Sequence, residues 1–155
     1  FIDTFGLARL SYDVSNGHLH VDPENGGSPY TIPATSGSPQ CLNDSSCNKI
    51  PNQGPIPPGV YLIDVDGIID PNFLMDLPHN TPGIGADWGD WQAPLTPTSQ
   101  TNTFGRDGFW MHGGSVEGSA GCIDIGGGIW GDEETDKLLE ILYSDTDGRV
   151  VVTIY

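Results

Sequence analysis

Glycine and proline punctuate this sequence so often that long regular elements have almost nowhere to run. Its 155 residues include 22 Gly and 13 Pro, a composition that loads a chain with turns and rules out a long helical bundle or coiled coil. At this length a single domain over residues 1–155 is expected, with room for one sizeable core. Charge narrows the partners further. Five Lys and Arg stand against 21 Asp and Glu, a formal charge of −16. Such a surface repels phosphate backbones and anionic lipid, which argues against nucleic-acid binding and membrane-surface docking. No run approaches the roughly 18 consecutive apolar residues that a membrane-spanning helix needs. The sequence opens at Phe1 with neither Met nor a recognisable signal peptide, as a mature or trimmed chain would.

The first third reads as strands. Leu10, Tyr12 and Val14 alternate with polar residues, Asn16-Gly17 supplies a two-residue turn, and Leu19 and Val21 alternate again. Alternation on both sides of Asn-Gly is the strongest short-range hairpin signal. Residues 28–34 make a third strand, which Pro29 and Pro33 confine to a sheet edge. Residues 36–58 shift to Gly, Pro, Ser and Asn and read as an irregular surface loop holding Cys41 and Cys47. If those two pair, as an oxidising compartment would allow, Cys122 is left with a thiol to account for; the alternative is three reduced, unrelated cysteines.

Val60, Leu62, Ile63 and Val65 form a β-branched run, and residues 73–77 a shorter strand candidate. Residues 78–106 read as a long loop containing Trp88 and Trp91, a lid or substrate wall if not a plug over the core. One helix is expected: Asp132 caps it, Glu133 and Glu134 suit its positive first turn, and Leu138, Leu139, Ile141 and Leu142 line one face. Asp147-Gly148 then turns the chain into a closing strand over residues 149–155. The sum is a mainly β domain with one late helix.

Chemistry concentrates in residues 105–128. A strand over 109–111 delivers His112 into a Gly-rich turn, and ten residues later Cys122 opens a second short apolar run, 123–125. Two strand ends so joined can set an imidazole beside a thiol, the arrangement a Cys/His nucleophilic pair needs. A free thiol titrates near pH 8.5 and is mostly protonated at neutral pH; an adjacent imidazolium that lowered it by about 2 units would raise the thiolate fraction roughly 10- to 30-fold. Gly121, lacking a Cβ, lets backbone N–H groups approach a developing oxyanion, and Ser119 can orient the turn. The competing reading is a buried, inert Cys122. With no Cys-x-x-Cys, dithiol redox and structural zinc lack ligands, and no cofactor or metal is expected. His18 and His20, with Asp22, share one strand face, but two histidines on a hairpin are a weak metal signal. His79 could wall the site, Trp110 is read as core, and the acidic 132–136 cluster lacks calcium-loop spacing.

His112-Gly113 followed by Ser119-Ala120-Gly121-Cys122 resembles the His-Gly … Ser-x-Gly-Cys signature of the L,D-transpeptidase (YkuD-type) catalytic domain. The wider pattern is most similar to the type VI secretion L,D-transpeptidase effector branch, in which a Gly-Arg-x-Gly-aromatic segment precedes the His-Gly, as residues 105–113 do here. Residues 33–37, 54–61 and 149–155 also look like that branch, so the resemblance spans most of the chain. It implies a β-sandwich-like fold and a cysteine enzyme acting on peptidoglycan tetrapeptide stems in an extracytoplasmic, secreted or periplasmic setting. Cys122 would attack the L-centre carbonyl of the third-position diamino acid. Release of the terminal D-residue leaves an acyl-thioester, which water resolves in an L,D-carboxypeptidase and an amine in a transpeptidase or exchange enzyme. His112 carries over as base and acid, the Gly113 carbonyl as holder of the imidazole tautomer, and Ser119 and Gly121 as turn and oxyanion support. Arg106 carries over as a strand-end anchor or a substrate-carboxylate contact. An antibacterial effector of this kind would have a cognate immunity protein as partner. One departure stands out: housekeeping members usually have Arg two residues after the Cys, whereas this chain has Asp124. A protein-directed cysteine peptidase and a non-catalytic wall-binding domain are the competing functions.

Overall fold

A computed structural model describes residues 8–23, 27–69, 91–114, 121–127 and 132–155. The strand candidate at 73–77, and Trp88, His79 and Ser119, lie outside them. Among the described residues, nine strands form two sheets around an apolar core. β1 (Arg9–Asp13), β2 (His18–Asp22) and β3 (Tyr30–Pro33) form a meander; β4 is Gly59–Asp64, β5 Gln92–Pro94 and β6 Thr96–Pro97. β7 (Trp110–Gly114), β8 (Ile123–Gly127), helix α1 (Glu133–Tyr143) and β9 (Arg149–Ile154) complete the chain. The larger sheet has the order β3-β2-β1-β9-β4-β6 and the smaller one β5-β7-β8. The described residues are therefore mainly β with one late α-helix.

Period-2 patterning explains the larger sheet. Leu10 and Tyr12 on β1, Leu19 and Val21 on β2, and Val150, Val152 and Ile154 on β9 are buried, while the residues between them face outward or are half-buried. Burying one face of each strand pins the register, since a one-residue slip would turn every apolar side chain to water. β9 runs parallel to β1 and antiparallel to β4, so the last strand sits near the middle of the sheet. β3 does lie at an edge, where its prolines forfeit no ladder bond to a further strand.

Three local expectations change. The β1–β2 connection spans four residues, not two, because Asp13 pairs with His18 and its carboxylate accepts from the Ser15 and Asn16 backbone N–H groups. Gly17 then closes the turn at φ +67°. On β4 the inward positions are Tyr61 and Ile63, with Val60 exposed. In residues 91–106 the expected unstructured loop contains β5 and β6, and Trp91 is a core residue whose indole N–H donates to the Thr135 carbonyl at 3.1 Å.

The helix forms where expected. Asp132 accepts from the Thr135 N–H and Thr135 Oγ1 accepts from the Asp132 N–H, a reciprocal cap. Leu138 and Leu142, fully buried, seat α1 against the core, with Leu139 and Ile141 partly covered. Burial of side chains this size is worth about 1.5–3 kcal/mol each, which makes this face, rather than intrinsic propensity, the main source of the helix's stability.

Candidate active site

β7 and β8 lie side by side and parallel, with Met111 opposite Ile123 and His112 opposite Asp124. Because side chains alternate faces along a strand, Met111 and Ile123 point into the core, where both are fully buried. His112 and Asp124 share the other face. Cys122 immediately precedes β8 and falls on that same face, diagonal to His112. Trp110, two residues before His112, also belongs to this face and is half-buried, so it is not the core residue the sequence led one to expect. The strand pair thus brings His112, Cys122 and Asp124 into one row.

The imidazole is held by its neighbour. His112 Nδ1 lies 2.7 Å from the Gly113 carbonyl oxygen. A carbonyl only accepts, so Nδ1 carries the proton and Nε2 presents a lone pair. All three side chains are buried: His112 is 6% exposed, Cys122 8% and Asp124 4%. Asp124 Oδ1 accepts from the Gly126 N–H at 2.8 Å, and its backbone makes a two-way bridge with Thr35. The segment after β3 is thereby fastened to β8 beside the site.

The thiol itself departs from expectation. Burial pushes Cys122 up from 9.0 to about 11, the nearby Asp124 adds to the rise, and the Trp110 backbone N–H counters part of it. Its Sγ–H points to the Gly108 carbonyl oxygen at 3.8 Å. A preformed thiolate stabilised by imidazolium is therefore not the resting state. Desolvation of the charged sulfur outweighs the Trp110 N–H that favours it.

Arg106 is also placed differently from one of its two expected roles. Its guanidinium is buried, with Nη1 donating to the Asn48 and Pro55 carbonyls at 2.6 and 2.8 Å and Nη2 to Gly54 at 2.8 Å. Three of its donors are spent on main chain, so it anchors the loop rather than presenting itself to a substrate carboxylate. That loop is closed by a Cys41–Cys47 disulfide, and Cys122 lies outside it as a thiol. Gly121 adopts φ +106°, a conformation that strains any residue with a Cβ.

Sequence reasoning had no signal for the Gly108 and Trp110 backbone contacts to the sulfur, which depend on how residues 105–110 wrap. Nor did it foresee the open cleft of roughly 520 Å³ whose walls include Gly114, Asp124, Thr35, Asn43 and Glu134. His18, His20 and Asp22 occupy the solvent face of β2. Among the described residues, no group of three His, Cys, Asp or Glu side chains is arranged to hold a metal ion, and no helix is long and apolar enough to cross a membrane.

Solved structures share this architecture. The chain is similar to Bd1075 of Bdellovibrio bacteriovorus, at 18% identity and TM-score 0.54, over 99% of this chain and 49% of that one. It is also similar to L,D-transpeptidase 1 of Mycobacterium tuberculosis (16%, TM-score 0.51, 97% and 63%) and to an L,D-transpeptidase of Mycobacterium smegmatis (14%, TM-score 0.51, 96% and 59%). The chain covers less than two thirds of the length of each. The fold is that of the L,D-transpeptidases. No curated protein matches the sequence. The Tlde1 domain family matches residues 30–129, well over half of the chain, and the protein belongs to that family.

Proposed function

We propose that the protein is a peptidoglycan-modifying cysteine enzyme that removes or exchanges the terminal D-residue of tetrapeptide stems through an acyl-thioester on Cys122. The observation that carries this reading is the His112 tautomer: with Nδ1 committed to the Gly113 carbonyl, proton exchange with the sulfur falls to Nε2, on the strand face that Cys122 shares. Membership of the Tlde1 domain family and the fold shared with the L,D-transpeptidases support it.

The chemistry runs as general-base-assisted attack, since a sulfur pushed up to about 11 is protonated at neutral pH. As Sγ attacks the L-centre carbonyl, its proton passes to His112 Nε2 and a C–S bond forms. The backbone N–H groups of Gly121 and Cys122 are the donors assigned to the developing oxyanion. Collapse breaks the C–N bond, and the imidazolium returns the proton to the leaving amine of the D-amino acid. Water on the thioester gives the shortened stem and free thiol; a D-amino acid amine gives the exchanged stem. The open cleft beside Gly114 and Asp124 receives the flanking part of the stem. An extracytoplasmic site of action, delivery as an antibacterial effector and a cognate immunity protein all belong to this proposal.

The test is mass spectrometry of tetrapeptide muropeptides incubated with wild-type and Cys122→Ala protein. Loss of terminal D-Ala with the wild type alone is expected, and added D-Met should appear in exchanged stems if an amine resolves the intermediate. Intact muropeptides beside cleaved casein would replace this reading with a protein-directed cysteine peptidase; no change in either would leave a non-catalytic wall-binding domain.

A further inference from the structure

Residues 103–110 form a cradle around the sulfur. Phe104 and Gly105 take φ +57° and +76°, turning the chain so that the Arg106 side chain runs inward while its backbone N–H bonds the Thr103 carbonyl. The guanidinium lies over the Phe109 ring, 5.6 Å from its centroid, and Phe109 meets Tyr61 of β4 edge-on at 5.7 Å. Gly121 rests directly on this pair: a Cβ added there would come within 2.7 Å of Arg106 Nη2 and 3.3 Å of Phe109. Cys122 is the next residue. On its other side the guanidinium grips Asn48, Gly54 and Pro55. Asn48 follows half-cystine Cys47, and Gly54 packs so closely on the Cys47 carbonyl that a Cβ would collide with it.

We infer that Arg106 is a positioning residue for Cys122, transmitting the geometry of the disulfide-closed 41–55 loop to the sulfur through Gly121. This rests on Cys122 being the nucleophile. Charge alone does not explain the residue. The carbonyls it engages belong to three residues and are met from two separate nitrogens, Nη1 and Nη2; an ammonium has one nitrogen and cannot reproduce that spread. Nor would a clamp for the loop alone need to lie against the residue before the sulfur. With the fork in place Cys122 is held buried, against the Gly108 carbonyl and the Trp110 N–H.

The test compares wild type with Arg106→Lys and with the Cys41→Ser/Cys47→Ser double variant. Iodoacetamide alkylation of Cys122 is followed by peptide mass spectrometry between pH 7 and 10.5. Val21→Ala, which trims a buried β2 residue away from the site, supplies a control of general destabilisation. If the fork positions the sulfur, both test variants release it from burial. The alkylation midpoint then falls by about one unit, the rate at pH 8 rises roughly threefold, and D-Ala release slows, whereas Val21→Ala leaves the midpoint unchanged. Combining the test variants should add little, because both cut one path. Folded Arg106→Lys protein with the wild-type midpoint overturns the inference, as does a shift of equal size in Val21→Ala. Should Arg106→Lys fail to fold, the double cysteine variant decides by the same midpoint. A wild-type protein inactive on muropeptides refutes the proposed reaction but leaves this alkylation comparison to stand or fall separately.

Discussion

The state of the sulfur before substrate arrives gives the sharpest quantitative expectation. Cys122 is raised from 9.0 to about 11 by burial and by Asp124. Two units leave about 100-fold less thiolate at any pH well below the midpoint. A more basic thiolate is also a better nucleophile, and with a Brønsted coefficient of about 0.4–0.5 the same two units return a factor of roughly 6–10. The net expectation is that iodoacetamide labels Cys122 about tenfold more slowly than an ordinary exposed thiol at pH 7.5. The logarithm of the rate should climb with unit slope to beyond pH 10, with no plateau near neutrality. D-Ala release should not climb in the same way if, as proposed, His112 removes the proton during attack. Stopped-time alkylation with peptide mapping measures the first profile, and muropeptide turnover across the same range the second. Rapid labelling that levels off below pH 8 would refute the reasoning, since it would mean a thiolate already formed in the free enzyme.

Other consequences follow from the same structure. A folded thiol held above its unfolded value makes stability fall as pH rises from about 9 to 11, since the unfolded chain releases its proton first. Cys122→Ala should therefore narrow the alkaline loss by about 2–3 kcal/mol, read from urea melts at pH 8 and pH 11; parallel losses in both proteins would contradict it. Trp91→Phe removes the indole donor to the Thr135 carbonyl, which keeps its place in the helical ladder of α1, so the cost is that of one net hydrogen bond, about 0.5–1.5 kcal/mol in chemical denaturation. Leu138→Ala empties a fully buried position under α1 and should cost about 2–5 kcal/mol; a loss below 0.5 kcal/mol (roughly the level of a surface change) would show that α1 does not depend on this face.

The parts of the molecule governed by local patterning were legible in the sequence. The alternation around Asn16-Gly17 located β1 and β2, the prolines put β3 at an edge, and Asp132 with the Leu138/Leu142 stripe defined α1 to within a residue or two. The same local reading missed the four-residue length of the first turn, because Asp13 claims the turn's N–H groups through its side chain. It also read Val60 as part of an apolar run, although only the partner strands decide which β4 face is buried. The His112 and Cys122 positions could be singled out because their residue types and glycine neighbours carry chemistry. Their environment could not. The height of the Cys122 titration depends on packing from residues 105–110 and on Asp124, and the destination of Arg106 depends on a loop more than 50 positions away, at Asn48, Gly54 and Pro55. The spacing that lets sequence place two residues on one strand face says nothing about what closes over them.

Intact-protein mass spectrometry of the enzyme quenched in acid during turnover of a tetrapeptide muropeptide tests the central claim most directly. The account predicts an adduct equal to the muropeptide less its terminal D-Ala, mapping to Cys122 and lost on treatment with hydroxylamine, as a thioester would be. Release of D-Ala that leaves the wild-type mass unchanged and continues undiminished in Cys122→Ala protein would contradict it.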